Sequence, residues 1–457
     1  MVGIEVVDIQ RVSATDLMEL VCDVSGTSMQ VAAVLKLAAP RTISLVDLRR
    51  ELSDRIESVP RLRQRLLDSP LGCGRPIWVD DATFDIADHV TEVCCTAPGD
   101  EQALLKTVAG VITTRLPIGR PLWSATFVTG LSDDRSALVI VFHHVLADGI
   151  GGLAILEHLA DGRPGVPDPD FPRPVPSHRE MFLDGVLQRV AVLRRLPAGV
   201  RRLRAGAAEL GNRSTPGTPA ARHPSGDVRR KHSTGGSLNR PIGTGRALAV
   251  ARVDLDAVRA AAHARGGTVN DVVVTAAAGA LRQILAARGE HVEQLVISMP
   301  VSDRRRTSAT ELGNHVGVLP IPVPLTSDAA QRLEAVAAIT RTRKTSAPGA
   351  SASLISLMFR FLARLGVFGW FIAHQHLINT FVSNLRGPER RMSLLGNEII
   401  EITPVAMISG NVTVAFTALS YSGVLTVTVV ADPQRCPEYQ AVGDALQREL
   451  DVLTTTG

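Results

Sequence analysis

Apolar positions follow two different periods along this chain. QVAAVLKL (30–37) and ALVIVF (137–142) are near-continuous apolar runs of strand length, the pattern of buried strands. QLVISMPVS (294–302), FTALSYS (416–422) and VLTVTVVAD (424–432) predict further strands. SLVDLRRELSDRIESV (44–59), GGLAILEHLA (151–160) and TVNDVVVTAAAGALRQILAARG (268–289) place apolar residues three and four apart, which predicts helices. SATDLMELV (13–21) opens on capping-type residues, and Asn270 or a neighbour is placed to cap the helix after 268. GRPGVPDPDFPRPVP (162–176) carries too many prolines for a regular element and ends the first half as a surface connection. Strands alternate with helices on both sides of it, the pattern of two α/β layered domains. The most apolar segment, LISLMFRFLARLGVFGWFIAHQHLI (354–378), is interrupted by Arg360 and Arg364. It reads as a core helix or as a helix lying against lipid.

Composition narrows this only in places. Of 457 residues, 45% are hydrophobic and 21% charged, which excludes a mostly disordered chain. Aromatics reach only 4%, so Ala, Val, Leu and Ile must build the core. No apolar run attains the roughly 18–20 residues of a membrane span. The N-terminus lacks the basic start and apolar segment of a signal peptide. Five scattered cysteines (Cys22, Cys73, Cys94, Cys95, Cys436) lack metal-type spacing and fit a reducing, cytoplasmic setting. The net charge is +4, but it is unevenly spread: residues 188–246 hold thirteen Arg and Lys against Glu209 and Asp227, a balance of +11. This basic, partly amphipathic and then Pro/Gly/Ser-rich stretch reads as a crossover between domains at 1–187 and 247–457. A sharper reading has it touching anionic lipid headgroups or a phosphorylated ligand. It lacks the aromatics that stack nucleic-acid bases, so no nucleic-acid partner is expected.

The candidate chemistry lies in VFHHVLADGIGG, which holds His143, His144, Asp148, Gly149, Gly151 and Gly152 after a buried strand. Adjacent side chains on an extended segment point opposite ways, so one imidazole faces a given cavity. A neutral imidazole suits proton abstraction from a hydroxyl. Asp148 could orient that ring or brace the loop, and the glycines let the chain turn into the next helix. Three other readings compete. Two neighbouring histidines cannot comfortably bind one metal ion. Gly149, Gly151 and Ala154 match a dinucleotide loop, but six residues separate the strand from its first glycine, and Asp168 and Asp170 lie in a proline-rich loop. A purely structural histidine pair is the third. Neither a G-x-S-x-G elbow nor a phosphate loop ending in GK[ST] is present.

HHVLADG fits the HHxxxDG motif of chloramphenicol acetyltransferase-like acyltransferases. The chain further resembles one branch, the bacterial wax ester synthase/diacylglycerol acyltransferases. The resemblance is carried by PRLRQRLL (60–67), RPIWVDDATFDIADHV (75–90), RPLWSATFVTGL (120–131), LNRPIGTGRALA (238–249), TVNDVVVTAAAGALR (268–282), MPVSDRRR (299–306), LGNHVG (312–317), SNLRGPE (383–389) and ALSYSGVLTV (418–427). It implies an α/β fold of two chloramphenicol acetyltransferase-like domains, mixed β-sheets flanked by helices, with an active-site tunnel between them.

The resemblance also implies roles. His144 would be the general base, deprotonating an acceptor hydroxyl that attacks the thioester of an acyl-CoA without a covalent acyl-enzyme. His143 would shape the loop, Gly149 would provide its turn, and Asp148 would hold it through an arginine, with Arg304 the candidate partner. Asn270, Ser383 or Asn384 would stabilise the oxyanion; their plainer readings are a helix cap for Asn270 and a turn before Gly387–Pro388 for the other two. Pro121–Trp123 reads first as packing and second as lining of an acyl channel. No cofactor or metal is implied, acyl-CoA being a co-substrate. The partners would be acyl-CoA with diacylglycerol or a long-chain alcohol, and possible sites of action include the inner-membrane or lipid-droplet surface. An acyl-carrier- or polyketide-dependent acyltransferase and a non-catalytic lipid-binding homologue are the alternatives. Arg386 stands where the family usually has proline, and a long cation there is expected to alter the acyl pocket or the acceptor entrance.

Overall fold

The apolar run at 30–37 is β1 (Gln30–Leu37), and the run around 137–142 is β6 (Ser136–His143). They pair antiparallel without a slip, from Gln30 against His143 to Leu37 against Ser136. In this computed structural model, residues 9–23, 28–38, 41–162, 166–191, 236–302, 316–345, 362 and 366–455 are described. Most of the basic crossover, Arg304, and residues 354–361 and 363–365 of the most apolar segment lie outside them.

β5 (Trp123–Thr129) and β4 (Val90–Cys94) extend the sheet beyond β6, with β4 and β5 parallel. β2 (Gln64–Leu67) and β3 (Ile77–Asp80) form a separate ribbon. One face of the large sheet packs on α2 (Leu45–Ile56) and α4 (Gly149–Leu159), through Leu48, Leu52, Ile155 and Leu156. The other packs on α3 (Glu101–Thr113), through Leu104, Val108 and Ile112. The proline-rich connection at 166–176 is irregular apart from turns and leads into the helical residues 178–191, α5.

The second sheet has the order β7 (Ala247–Asp254), β14 (Val424–Ala431), β13 (Val414–Tyr421), β10 (Thr380–Arg386), β8 (Gln294–Ser302), β9 (Val316–Pro324). β10 runs parallel to both neighbours, and the other pairs are antiparallel. Helices α6 (Leu255–Ala264), α7 (Val269–Ala287), α8 (Ala329–Thr345) and α10 (Tyr439–Thr455) cover it, and α9 (Phe368–Ala373) lies against α1 (Ala14–Cys22). α7 is long and apolar enough to cross a membrane, yet 72% of its apolar window is buried in protein, so it is the central core helix here. Gly279 lets it approach α8 and α10. A β-carbon there would collide with the buried ion pair of Arg332 and Glu449.

The first sheet is not made of the first half alone. β12 (Asn397–Val405) pairs antiparallel with β1, from Ala32 against Val405 onward, and β11 (Ser393–Leu394) adds an edge. Residues 393–405 thus cross the expected division at 247. Asp161, just past α4, accepts the backbone N–H groups of Leu395 and Gly396 at 2.9 Å each. A charge network ties the same junction: Lys36 to Glu101 at 2.9 Å and Glu401 at 3.1 Å, and Arg252 to Glu401 at 2.8 Å and to Glu101. Burial pushes both glutamates up, but Arg252 and Lys36 bring them below the usual carboxylate range.

Candidate active site

β6 ends at His143, and the next residues form a tight turn into α4. Strand alternation separates the two rings: His143 lies on the face carrying Val141 and Gln30, toward α3, and His144 begins the turn. His143 is 3% exposed and locked from both sides. Its Nδ1 accepts the Val145 N–H at 3.1 Å, so Nε2 carries the proton, and Nε2 faces Asp23 Oδ2 at 3.4 Å. Burial acts to raise Asp23, but the hydrogen bond and charge of His143, with Arg115, hold it below the usual carboxylate range. That leaves His143 neither a free nitrogen nor an open face for a substrate.

His144 is half-buried, and its backbone N–H donates to Met29 O at 2.7 Å. Met29 N–H in turn donates to the Asp23 carboxylate, so one acid anchors the His143 ring and the strand that holds His144. Asp23 is the C-cap of α1, whose N-terminus is fixed by a capping box of Ser13 and Asp16. Glu19 sits one turn before Asp23, close to both histidines. Burial pushes its carboxyl up against the pull of His144 and His143. Neither acid is signalled by the sequence: Asp23 lies 120 positions from His143, in no motif.

Asp148 braces the loop rather than touching the imidazole of His143. It is fully buried and is the N-cap of α4, its Oδ1 accepting Gly151 N–H at 2.8 Å. Its expected partner Arg304 lies outside the described residues. Gly149 plays a different part from the one expected. It has no left-handed φ; it is the first helical residue of α4, and a β-carbon there would sit 2.8 Å from Leu385 Cδ2. Space is what the position requires.

That contact joins the histidine loop to β10 of the other half. Ser383 and Asn384 are strand residues on β10, not a turn, because pairing with β13 runs on to Arg386. Alternation puts Ser383 on the Leu385 face and Asn384 on the opposite one. Of the two, Ser383 shares the side that meets Gly149; its hydroxyl donates to Thr417 Oγ1 at 2.7 Å. Asn270 does not cap its helix. Thr268 does, in a capping box with Asp271, while Asn270 Nδ2 lies 2.9 Å from Met299 Sδ on β8. Arg386 lies on the surface: its side chain is 75% exposed and pairs with Glu389 at 2.6 Å. Trp123 packs, 1% exposed, with Nε1 donating to Leu62 O at 2.7 Å and its ring stacked on His89. Among the described residues no three His, Cys, Asp or Glu side chains are grouped to hold a metal ion, and the described cysteines are all free thiols.

Comparison with known proteins bears on the family and the fold. Residues 12–273 match the wax ester synthase/diacylglycerol acyltransferase catalytic domain, and residues 312–454 match the C-terminal domain of the same family. A Mycobacterium tuberculosis protein named as a diacylglycerol O-acyltransferase is 27% identical over 97% of this chain and 90% of its own. Another from the same species is 30% identical over 84% of this chain and 83% of its own. The wax ester synthase/diacylglycerol acyltransferase of Marinobacter aquaeolei superposes with a TM-score of 0.70 at 21% identity, covering 98% and 99% of the two chains. The starter condensation domain of rhizomide synthetase, solved with C8-CoA, superposes with a TM-score of 0.58 at 15% identity, covering 98% and 94%. The fold is therefore the two-lobed, chloramphenicol acetyltransferase-like one. Matched in both halves and carrying HHxxxDG on the turn between β6 and α4, the chain belongs to the wax ester synthase/diacylglycerol acyltransferase family and is an acyltransferase.

Proposed function

We propose that this chain transfers a fatty acyl group from acyl-CoA to the hydroxyl of a diacylglycerol or a long-chain alcohol, with His144 as general base. The observation that carries the reading is the position of the HHxxxDG turn at the seam: His143 is consumed by Val145 and Asp23, and the next residue, His144, begins the turn whose Gly149 meets Leu385 of the other half. The imidazole takes the proton of the acceptor hydroxyl as its oxygen attacks the thioester carbonyl. The C–S bond then breaks, and the imidazolium returns the proton to the departing CoA sulfur. Glu19 faces the imidazolium as it forms. Of the two β10 residues Ser383 lies on the face that meets the histidine loop, and its hydroxyl would turn from Thr417 Oγ1 to donate to the developing oxyanion. Support for the donor comes from the fold neighbour solved with C8-CoA, and for the acceptor from the mycobacterial relatives' names.

Purified chain given a long-chain acyl-CoA with 1,2-diacylglycerol or hexadecanol should release free CoA and form the ester. His144→Ala should lower that rate by ~10²–10⁴, the usual contribution of a general base. Ester formation that survives this substitution unchanged refutes the assignment of the base, and bound lipid with no turnover in the wild type refutes the reaction.

A further inference from the structure

On the His143 side, where the two halves meet, a small cleft of about 40 Å³ opens between them. That is room for a phosphate-sized group, not for a whole ligand. Its walls include Ser28 and Gln30 at the start of β1, Arg115 just past α3, Thr244 and Arg246 ahead of β7, and Met407 after β12. Two arginines from different halves of the chain thus line one cavity.

The surroundings favour an anion. Arg246 is braced, its Nη1 donating to the carbonyls of Gly243 at 2.8 Å and Gly245 at 2.7 Å. Burial weakens its hold on its proton, and the charge of Asp432 opposes this without reversing it, so a further negative charge would be welcome there. Ser28 Oγ is buried and has no hydrogen-bond partner, which a phosphate oxygen would supply. Gln30, by contrast, is fully used: its amide donates to Ile112 O and Thr114 O and accepts Leu116 N–H, each at 3.0 Å. It fixes the wall in place and leaves recognition to its neighbours.

The cleft also adjoins the catalytic loop. Ser28 and Gln30 flank Met29, whose carbonyl holds His144, and Arg115 Nη2 lies 3.5 Å from the Asp23 carboxylate that faces His143. The pantetheine arm of a CoA thioester keeps its phosphates far from the sulfur, so a phosphate subsite belongs at a mouth beside the loop, not against the base. We propose that this cleft seats the phosphate end of the acyl-CoA, with Arg115 and Arg246 on phosphate oxygens and Ser28 donating its hydroxyl. The inference rests on the acyl-CoA reading above; a phospholipid headgroup offers the same phosphate chemistry from another source.

The test compares two donors carrying the same acyl group: acyl-CoA, and S-acyl pantetheine, which has no phosphate. Arg246→Gln should raise KM for acyl-CoA about ten- to hundredfold, the worth of hydrogen bonds to charged groups, with kcat unchanged. Its kcat/KM for S-acyl pantetheine should equal that of the wild type. Ser28→Ala should do the same to a smaller degree, and Arg246→Lys should recover part of the loss. Adenosine 3′,5′-bisphosphate should compete with acyl-CoA in the wild type and compete far less in Arg246→Gln. Equal losses on both donors, or an unchanged KM for acyl-CoA, overturn the proposal. So does an Arg246→Gln variant that no longer floats with phosphatidylglycerol vesicles yet keeps its KM for acyl-CoA, since the anion is then a headgroup. If the wild type turns over neither donor, the acyl-transfer reading has failed; calorimetry with the bisphosphate still decides whether the cleft takes phosphate.

Discussion

The two six-stranded sheets differ in where their strands come from. All strands of the second sheet, and every residue of its core, fall between Leu238 and Leu453. The first sheet takes β11 and β12 from the far half, and its cores include Leu394, Ile399, Ile402, Leu419 and Tyr421 on one face and Leu248, Val405, Ala415 and Val430 on the other. The dependent half is also the one that carries the histidines. His144 therefore has its geometry set by a strand, β1, that needs its neighbour from the other half. The histidine turn thus lies over a seam, and its geometry is complete only when both halves are folded together.

The largest effect should come from separating the halves. Residues 236–457 expressed alone should unfold cooperatively by circular dichroism, whereas 1–191 alone should lack a sharp transition. A stable, cooperative 1–191 fragment would remove the asymmetry. Next is Glu449→Gln in the self-contained half, which leaves the fully buried Arg332 without its carboxylate; breaking a buried pair in this way typically costs about 3–5 kcal/mol. Chemical denaturation should show that loss while the acyl-CoA KM of the folded protein stays unchanged. At the seam, Gly149→Ala drives a β-carbon against Leu385, which overpacking usually charges at about 1–3 kcal/mol. Here stability and turnover should fall together, and adding Leu385→Ala should restore part of both.

The smallest effect concerns pH. Glu101 and Glu401 have folded-state pKa values below their unfolded ones, so their stabilisation is present above the ordinary Glu value near ~4.3. It is lost as pH falls through the depressed folded values. Both face solvent in part, so the contribution should stay within about 1 kcal/mol. Melting temperatures of Glu401→Gln should consequently fall less steeply than the wild type's below that point, and parallel curves would show that the network adds nothing to the seam.

Much of the scaffold can be read directly from periodicity. β1 coincides with its apolar run, β6 and β14 differ from theirs by a residue at most of their ends, and α2 and α7 start beside Ser44 and Thr268 as capping chemistry requires. Local pattern fails where the deciding partner is distant. Nothing in NEIIEITPV says that it will pair with residues 32–37 and not with its own half. Gly387–Pro388 suggests a turn at Ser383, but pairing with β13 keeps the strand extended to Arg386. The HHxxxDG loop is visible because its chemistry is contiguous. The Asp23 anchor is not, because it works across the gap between α1 and the end of β6.

The borrowed strand has a consequence for synthesis. β1 leaves the ribosome about 370 residues before β12 does, which at ~5–20 residues per second is tens of seconds. For that interval the edge of β1 that β12 will occupy has its hydrogen-bonding groups unpaired, beside an aliphatic surface rich in Ala, Val and Leu. A nascent chain arrested before residue 393 should therefore be the form that chaperones hold and that aggregates first, and releasing the last 65 residues should end that exposure.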